Sequence, residues 1–252
     1  MNTHFILRNN WRGRNCLRYK QIIFDVDDTL IDFAATENFA LHSLFQAHNW
    51  QLTDNMQRNY HAYNQGLWRK LEQGKIDYNQ LSKTVFSEFI KENLGIDIDG
   101  IAIMNEYRSY FSEAHKLLPG VTDTLRFAKK HNYVLTILSN GEAFMQRHRL
   151  QLAGIDKYFS LIVTSEEAGF AKPDTRIFDY FFAHTEIGPE ETVFFGDGLQ
   201  SDILGAENYG FDSIWYNHRK RKNNMNLHPL YEVATYPEFV ALLKGDLQKQ
   251  PQ

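Results

Sequence analysis

The sequence predicts an α/β protein in which a doubly wound parallel sheet carries an all-helical cap, inserted after the first strand. Two patterns support this prediction. Short apolar runs of strand length alternate with segments of helical period in the second half of the chain, and this alternation is typical of parallel strands joined by right-handed crossovers. Residues 32–115 instead show long amphipathic helical patterns and no convincing strand. A chain of 252 residues is long enough for one core domain and a modest insertion.

The predicted strands are short and mainly apolar. Residues 21–26 are rich in β-branched side chains, which is typical of a strand that is buried on both faces of a parallel sheet. Similar runs follow at residues 133–138, 161–164, 192–195 and 212–215. Helical spacing of apolar residues is found at residues 122–131, 143–153, 175–184 and 201–209. These helices have the positions expected of crossovers between parallel strands.

The helical block is expected to form a domain of its own. Apolar residues three and four apart mark successive helices through Leu44, Tyr63, Phe86 and Tyr107. Pro119 cannot continue a helix, so the chain is expected to return to the core at this point. The predicted boundaries are residues 33–115 for the cap and residues 20–32 and 116–252 for the core. The aromatic residues of the cap are interpreted as packing residues, with stacking on a substrate base as the alternative.

The first 19 residues differ in charge from the rest of the chain. They contain four arginines, and no acidic residue occurs before Asp25. We interpret this segment as a flexible leader, with a transit-like segment or a nucleic-acid-binding arm as alternatives. It has no apolar stretch of the kind that a secretory signal contains.

Composition restricts the partners. The chain has 27 basic and 31 acidic residues, a net charge of −4, so nothing indicates a nucleic-acid partner. Its apolar stretches are far shorter than the ~20 residues needed to span a bilayer, so no membrane association is expected. The single Cys16 cannot form an intrachain disulfide, which fits a cytoplasmic location. A monomer and a homodimer are both compatible with the sequence.

Polar residues follow the predicted strands at the edge where reactive groups gather in open α/β sheets. Asp25, Asp27 and Asp28 come directly after the first strand. Carboxylates packed this closely repel one another unless a divalent cation compensates them, although an acidic turn is the simpler reading of this motif alone. The other residues expected at this edge are Ser139, Asn140, Lys172, Asp197 and Asp202. Together they predict a metal-dependent catalytic centre.

These motifs resemble those of the haloacid dehalogenase (HAD) superfamily phosphatases. The chain shows DxDxT at residues 25–29, Ser139 after the second strand, Lys172 before a helix, and GDxxxxD at residues 196–202. The resemblance extends from about residue 20 to about residue 243. Segments around Ser139, Lys172 and Asp202 are similar to the YjjG-type 5'-nucleotidase branch.

The resemblance implies a role for each catalytic residue. Asp25 is expected to be the nucleophile that forms an aspartyl phosphate, and Asp27 the acid that protonates the leaving oxygen and then activates water. Lys172 is expected to neutralise the nucleophile and the phosphoryl oxygens. Ser139 is expected to offer its hydroxyl, and Asn140 a backbone N–H at the start of a helix, as a phosphate cradle.

The implied cofactor is Mg²⁺. Its expected ligands are Asp25, the backbone carbonyl of Asp27, and Asp197. Asp202 is expected to orient metal-bound water or Lys172, with a simple charge at a helix N-terminus as the alternative. Thr29 is expected to support the first loop and to belong to the substrate-binding set.

The implied substrate is a small phosphorylated metabolite. An acidic residue at Asp27 favours a phosphatase, because the dehalogenases that share the fold have a non-acidic residue there. The nucleotidase branch implies a nucleoside monophosphate. The alternatives are another small metabolite, such as a sugar phosphate or phosphoglycolate, and a catalytically silent binding or regulatory protein of the same fold.

The basic run at residues 218–222 is interpreted as a solvated loop, with attraction of anionic substrates as the alternative. Asp28 has either a supporting role or a solvated one.

Overall fold

The protein is described here from a computed structural model, which covers residues 19–72 and 75–245. Its strands are β1 (Gln21–Phe24), β2 (Val134–Ser139), β3 (Leu161–Thr164), β4 (Thr192–Gly196), β5 (Asp212–Tyr216) and β6 (Tyr231–Val233). Over the described residues they form one six-stranded sheet in the order β3-β2-β1-β4-β5-β6, with every pairing parallel. The predicted α/β class is confirmed. Residues 1–18 of the predicted leader lie outside the described residues.

Helices cover the sheet and form the cap. Their bounds are α1 (Phe33–Ala47), α2 (Asp54–Glu72), α3 (Tyr78–Leu94), α4 (Gly100–Glu113), α5 (Val121–Lys130), α6 (Ala143–Leu152), α7 (Ser165–Ala168), α8 (Thr175–Phe182), α9 (Leu204–Tyr209) and α10 (Tyr236–Lys244). The helical cap predicted after the first strand consists of α1 to α4. Within the part of the chain that the structure describes, no helix is both long and apolar enough to cross a membrane.

The central strand β1 is buried on both faces. Ile22 and Phe24 point into one hydrophobic cluster, and Ile23 points into another on the opposite face. Because successive side chains of a strand point to opposite faces, helices on both sides are needed to cover them. On the first face the rings of Phe195 and Phe239 stack with their centroids 3.9 Å apart, which fixes α10 against β4. The acidic loop after β1 therefore starts from a rigid support.

The cap has a hydrophobic core of its own. Tyr60 is buried in it, and its ring stacks on Phe86 with a centroid distance of 5.5 Å. Tyr107 lies 4.9 Å from Phe86 by the same measure. Each of these aromatic residues is thus a packing residue of the cap core, in agreement with the sequence interpretation.

Two adjacent chain segments join the cap to the core. The backbone N–H of Asp32 donates to the carbonyl of Lys116 at 2.9 Å, and the N–H of Leu118 donates to the carbonyl of Leu30, also at 2.9 Å. Asp32 also accepts from the N–H of Ala35 at 3.0 Å, which caps α1. The chain therefore enters and leaves the cap at one place, next to the acidic loop.

Several elements differ from the sequence prediction. The sequence pattern does not predict β6 or α10, and Tyr19, assigned to the leader, is instead buried in the core of the sheet. The segment predicted as one helix at residues 201–209 is a π-helical turn, Leu199–Ile203, followed by α9. β1 ends at Phe24, and the chain turns after Asp25, with the N–H groups of Leu30 and Ile31 both donating to the carbonyl of Val26.

Candidate active site

A tight turn presents the three aspartates that follow β1. The N–H of Asp25 donates to the carbonyl of Phe195, so this residue extends the pairing of β1 with β4. Asp28 has φ of 59°, a left-handed conformation that aspartate tolerates better than most residues. Its carboxylate accepts from the N–H of Phe33 at 3.2 Å and from Arg219 at 2.6 Å. Asp28 therefore holds the turn against the cap. Of the two roles considered for it, support of the loop is favoured over a solvated side chain.

Lys172 lies at the centre of the site. Its side chain is 1% exposed, and its Nζ donates to Oδ1 of Asp25, to Oδ1 of Asp202 and to the carbonyl of Leu138, each at 2.8 Å. These bonds use all three protons of the ammonium group. The structure thus brings together three residues that are far apart in the sequence, as predicted from their positions after the strands.

The buried charges do not cancel within the site. Burial raises the pKa of Asp25 to about 7; Lys172 opposes this rise and Asp202 adds to it. Burial also raises the pKa of Asp197 well above its ordinary value, helped by Asp202 and Asp25. Burial alone would lower the pKa of Lys172, but Asp202 and Asp25 raise it above its ordinary value, so the lysine stays charged. The surplus of negative charge is what a bound cation would neutralise.

The donor set fits a hard divalent cation. One carboxylate oxygen from each of Asp25, Asp197 and Asp202 lies within 4.8 Å of the others. Both oxygens of Asp202 already accept hydrogen bonds, from Lys172 and from the N–H of Gly198. Asp25 and Asp197 each keep one oxygen for which the described residues supply no donor. Oxygen ligands of this kind suit Mg²⁺, and the division between the ligands Asp25 and Asp197 and the outer residue Asp202 stays a prediction.

Asp27 points away from this cluster. Its Oδ1 accepts from Nη1 of Arg149 and its Oδ2 accepts from Nε2 of Gln146, both at 2.8 Å. The side chain is 30% exposed, so it remains open to a substrate. Two carboxylates on the same turn are therefore in different environments: Asp25 is buried with Lys172, and Asp27 is partly exposed and bonded to Arg149 and Gln146.

Ser139 and Asn140 have different surroundings. The Ser139 hydroxyl accepts from Nε2 of Gln146 at 3.1 Å and from the N–H of Gly141 at 3.2 Å. Asn140 clamps the backbone of Lys172: its Oδ1 accepts from the N–H at 2.7 Å and its Nδ2 donates to the carbonyl at 2.9 Å. The prediction that Asn140 starts a helix was wrong, because α6 begins at Ala143.

Thr29 joins two loops of the site. Its hydroxyl accepts from the N–H of Asp197 at 3.1 Å, and its carbonyl accepts from the Tyr236 hydroxyl at 2.5 Å. The side chain is fully buried. Thr29 thus supports the loop, but its hydroxyl is buried and bonded to Asp197, so no contact supports its assignment to the substrate-binding set.

The basic run after β5 covers the acidic loops. Arg219 pairs with Asp28, and Nη2 of Arg221 donates to Oδ2 of Asp197 at 2.7 Å. Arg221 also donates to the carbonyl of Asp197. The interpretation of residues 218–222 as a solvated loop was wrong for both arginines, because each is paired with an aspartate of the site.

Three functional candidates were not assigned a role from the sequence: Gln146, Arg149 and Arg221. Gln146 and Arg149 lie on the buried face of α6, where they contact Asp27. Their spacing of three places them on one helix face, but the same spacing occurs in any amphipathic helix. A short basic loop likewise gave no signal that one arginine would reach Asp197.

The fold and the site together define a class. A parallel sheet with carboxylates and a buried lysine at its carboxyl edge, below a helical cap, is the arrangement of a capped α/β hydrolase. Residues 19–210 match the family described as haloacid dehalogenase-like hydrolase. The chain belongs to this family, and it is a phosphatase.

Individual relatives agree with this assignment. The chain is 36% identical over 227 residues to YfnB of Bacillus subtilis, covering 90% of this chain and 96% of the relative. A crystal structure of YfnB bound to magnesium superimposes with a TM-score of 0.86, covering 90% of this chain and 99% of that one, at 36% identity. The pyrimidine 5'-nucleotidase PynA of Streptococcus pneumoniae is 32% identical, covering 92% of this chain and 98% of its own. The pyrimidine 5'-nucleotidase YjjG of Escherichia coli is 29% identical, covering 90% and 99%.

Proposed function

We propose that this phosphatase is a Mg²⁺-dependent 5'-nucleotidase that hydrolyses nucleoside monophosphates through an aspartyl phosphate on Asp25. The observation that carries the proposal is the pair of carboxylates on one turn. Asp25 is held by Lys172 at 2.8 Å, while Asp27 stands apart from the buried cluster and is partly exposed. One carboxylate is thus placed for attack and the other for proton transfer.

In the first half-reaction, a carboxylate oxygen of Asp25 forms a bond to phosphorus as the bond from phosphorus to the leaving oxygen breaks. Asp27 gives its proton to that oxygen, so the nucleoside leaves as a neutral alcohol. Lys172 stabilises the charge that develops on the phosphoryl oxygens. The Ser139 hydroxyl supplies a further hydrogen bond to those oxygens.

In the second half-reaction, water attacks the phosphorus of the aspartyl phosphate. Asp27, now a carboxylate, takes a proton from this water, and the bond between phosphorus and the Asp25 oxygen breaks. Inorganic phosphate leaves, and both aspartates regain their starting states. One residue therefore acts as acid and then as base.

The residues that would hold Mg²⁺ are Asp25, Asp197 and the backbone carbonyl of Asp27. When bound, the ion neutralises the phosphoryl oxygens and the carboxylates that surround them, which lets an anionic nucleophile approach an anionic ester. The raised pKa of Asp25 is consistent with a site that needs this charge.

The nucleotide assignment is supported by PynA and YjjG, which align with nearly the whole chain. The cap offers polar groups beyond the phosphoryl site: a cleft between α1 and α2 is lined by residues that include Glu37, Asn38 and His61. Glu37 follows Thr36, which is linked through Arg149 to Asp27. The Glu37 carboxylate is itself 2% exposed and already bonded to His61 and Asn64, so the nucleotide assignment rests on the relatives and not on this cleft.

A substrate panel tests the proposal. We expect pyrimidine nucleoside monophosphates to release phosphate faster than sugar phosphates or phosphoglycolate, and only when Mg²⁺ is present. The measurement is inorganic phosphate release, with chelator as the control. A preference for sugar phosphates would keep the chemistry and overturn the nucleotide assignment. Absence of turnover on every ester would support a catalytically silent protein instead.

Magnesium is expected to stabilise the fold in the absence of substrate. A ligand at 100 times its Kd adds about 2.7 kcal/mol to the free energy of unfolding, and this corresponds to roughly 5–10 °C in Tm for a chain of this size. Thermal unfolding with and without Mg²⁺ measures the shift. In Asp197→Asn the shift should shrink, whereas Asp123→Asn, whose carboxylate is 88% exposed on α5, should keep it. An equal shift in both variants would place the ion elsewhere.

A further inference from the structure

Arg149 is a buried charge that the mechanism above does not use. It lies on α6 and is 0% exposed. A buried guanidinium is tolerated only where its donors are paired, because its desolvation is otherwise uncompensated. Its partners therefore indicate why the chain keeps it there.

The partners of Arg149 come from both the core and the cap. Nη1 donates to Oδ1 of Asp27 at 2.8 Å, and Nη2 donates to the hydroxyl of Thr36 in cap helix α1 at 3.2 Å. Nε donates to the carbonyl of Ala114, directly after cap helix α4, at 3.0 Å. The guanidinium also lies 4.8 Å from the ring centroid of Phe111 in α4. One side chain thus links the acidic turn to both ends of the cap.

Gln146 completes the support of Asp27. Its Nε2 donates to Oδ2 at 2.8 Å while Arg149 binds Oδ1, so both oxygens of Asp27 are held by one helix. Gln146 is 1% exposed and also donates to the Ser139 hydroxyl. The close approach of its side chain needs Gly141, since a Cβ there would lie 2.1 Å from Nε2.

We propose that Arg149 is a positioning residue, which fixes the carboxyl group of Asp27 for proton transfer and ties its orientation to the placement of the cap over the core. The proposal rests on the proposed function, because Asp27 must be the proton-transfer group. Arg149 acts through the Asp27 carboxyl, and its hydrogen bonds within the described residues go to Asp27, Gln146, Thr36 and Ala114, not to Asp25 or Lys172. Its planar fork holds the Asp27 carboxylate and Thr36 in fixed directions, a geometry that the compact ammonium of a lysine does not reproduce.

Two esters separate positioning from a general structural role. Hydrolysis of a nucleoside monophosphate needs Asp27 in both half-reactions. In the first, the nucleoside alkoxide is a poor leaving group that must be protonated, and in the second, the attacking water must lose a proton. p-Nitrophenyl phosphate needs Asp27 only in the second, because p-nitrophenolate leaves as an anion. A variant with a misplaced Asp27 should therefore form the aspartyl phosphate normally from the activated ester and then hydrolyse it slowly.

The experiment is rapid-mixing kinetics on Arg149→Met with Mg²⁺. We expect the first equivalent of p-nitrophenolate to be released at close to the wild-type rate. The turnover that follows should be slower than that of the wild-type enzyme by about 10²-fold, within the range for loss of acid–base catalysis. Turnover of the nucleoside monophosphate should fall at least as much, without an initial burst. Arg149→Lys should recover part of the loss.

The matched control is Arg147→Met on the same helix. Arg147 is 41% exposed and pairs with Glu167, away from Asp27, so its removal should leave both phases unchanged. If Arg149→Met slowed the burst and the later turnover equally, or slowed neither, the positioning role would be wrong. Failure of the proposed function is recognised separately in the wild-type enzyme. Turnover of neither ester would exclude the chemistry, whereas turnover of p-nitrophenyl phosphate alone would overturn the nucleotide assignment and leave the burst test of Arg149 in force.

A second variant covers the case in which Arg149→Met does not fold. Thr36→Val removes the hydroxyl that accepts from Nη2 and leaves Arg149 and Asp27 in place. It should show the same burst pattern with a smaller loss, about 3–10-fold, the size expected when one hydrogen bond is removed. Thr36→Ser, which keeps the hydroxyl, should restore wild-type kinetics. Equal kinetics for Thr36→Val and Thr36→Ser would contradict the link to the cap.

Discussion

Asp25→Asn is expected to lower phosphate release from a nucleoside monophosphate by roughly 10⁴-fold or more, because an amide oxygen is too weak a nucleophile to form the covalent intermediate. Asparagine has nearly the same size as aspartate, and Lys172 keeps its bonds to Asp202 and to the carbonyl of Leu138. The fold should therefore survive. The measurement is phosphate release under saturating substrate and Mg²⁺.

Mass analysis of the enzyme, quenched in acid during turnover, tests the same prediction directly. The wild-type protein should carry one covalent phosphoryl group, and Asp25→Asn should carry none. Asp123→Asn on α5 provides the control for loss of one negative charge, since among the described residues this one forms an ion pair with Arg126 alone, at the surface. Full activity in Asp25→Asn, or a phosphoryl group attached to that variant, would exclude Asp25 as the nucleophile.

Asp27→Asn is expected to reduce turnover of the nucleoside monophosphate by about 10²–10⁴-fold, the range typical of a lost general acid and base. Unlike Asp25→Asn, it retains the nucleophile. It should therefore release one equivalent of p-nitrophenolate from the activated ester and then stall as the aspartyl phosphate. Rapid mixing and acid-quenched mass analysis measure the two phases.

Asp28→Asn is the matched control for this change, because it alters the neighbouring carboxylate on the same turn. Asparagine accepts the left-handed φ of 59° as readily as aspartate, so the turn should persist. Its activity should stay at least ten times higher than that of Asp27→Asn. If the order of the two variants were reversed, the proton-transfer role would belong to Asp28.

Much of the fold follows from patterns that are local in the sequence. β1 to β5 are mainly apolar runs, and the cap helices have clear amphipathic spacing, so both were predictable. β6 was not, since it has only three residues at the edge of the sheet and the side chain of Glu232 in its middle is exposed. Short edge strands have little periodicity to detect.

The candidate site was predictable where chemistry and topology agree. Asp25, Lys172, Asp197 and Asp202 follow strands whose carboxyl ends meet, and the structure places their side chains in one cluster. Asn140 was predicted near the site for the wrong reason. Its backbone N–H was expected to bind phosphate, but in the structure its side chain hydrogen-bonds to the backbone of Lys172. Which of two polar groups on a residue makes a contact depends on loop conformation, and the sequence does not specify that.

Arg149 shows a further limit. An arginine on an amphipathic helix is normally assigned to the solvent side, since charged residues are seldom fully buried. Its burial depends on partners that lie 122 and 113 positions away in the sequence, Asp27 and Thr36. Only the assembled tertiary structure brings these residues together, so no local pattern reveals the role.

The two adjacent connections of the cap have a consequence for the evolution and engineering of the enzyme. Leu30 and Leu118, at the entry to and exit from the cap, are joined by a backbone hydrogen bond, so the cap is an insertion whose ends already lie side by side. A different helical module with ends at the same spacing would leave the acidic turn and the sheet unaltered. Exchange of modules at this junction is a direct route to new substrate ranges, provided that the incoming module supplies its own partners for Arg149.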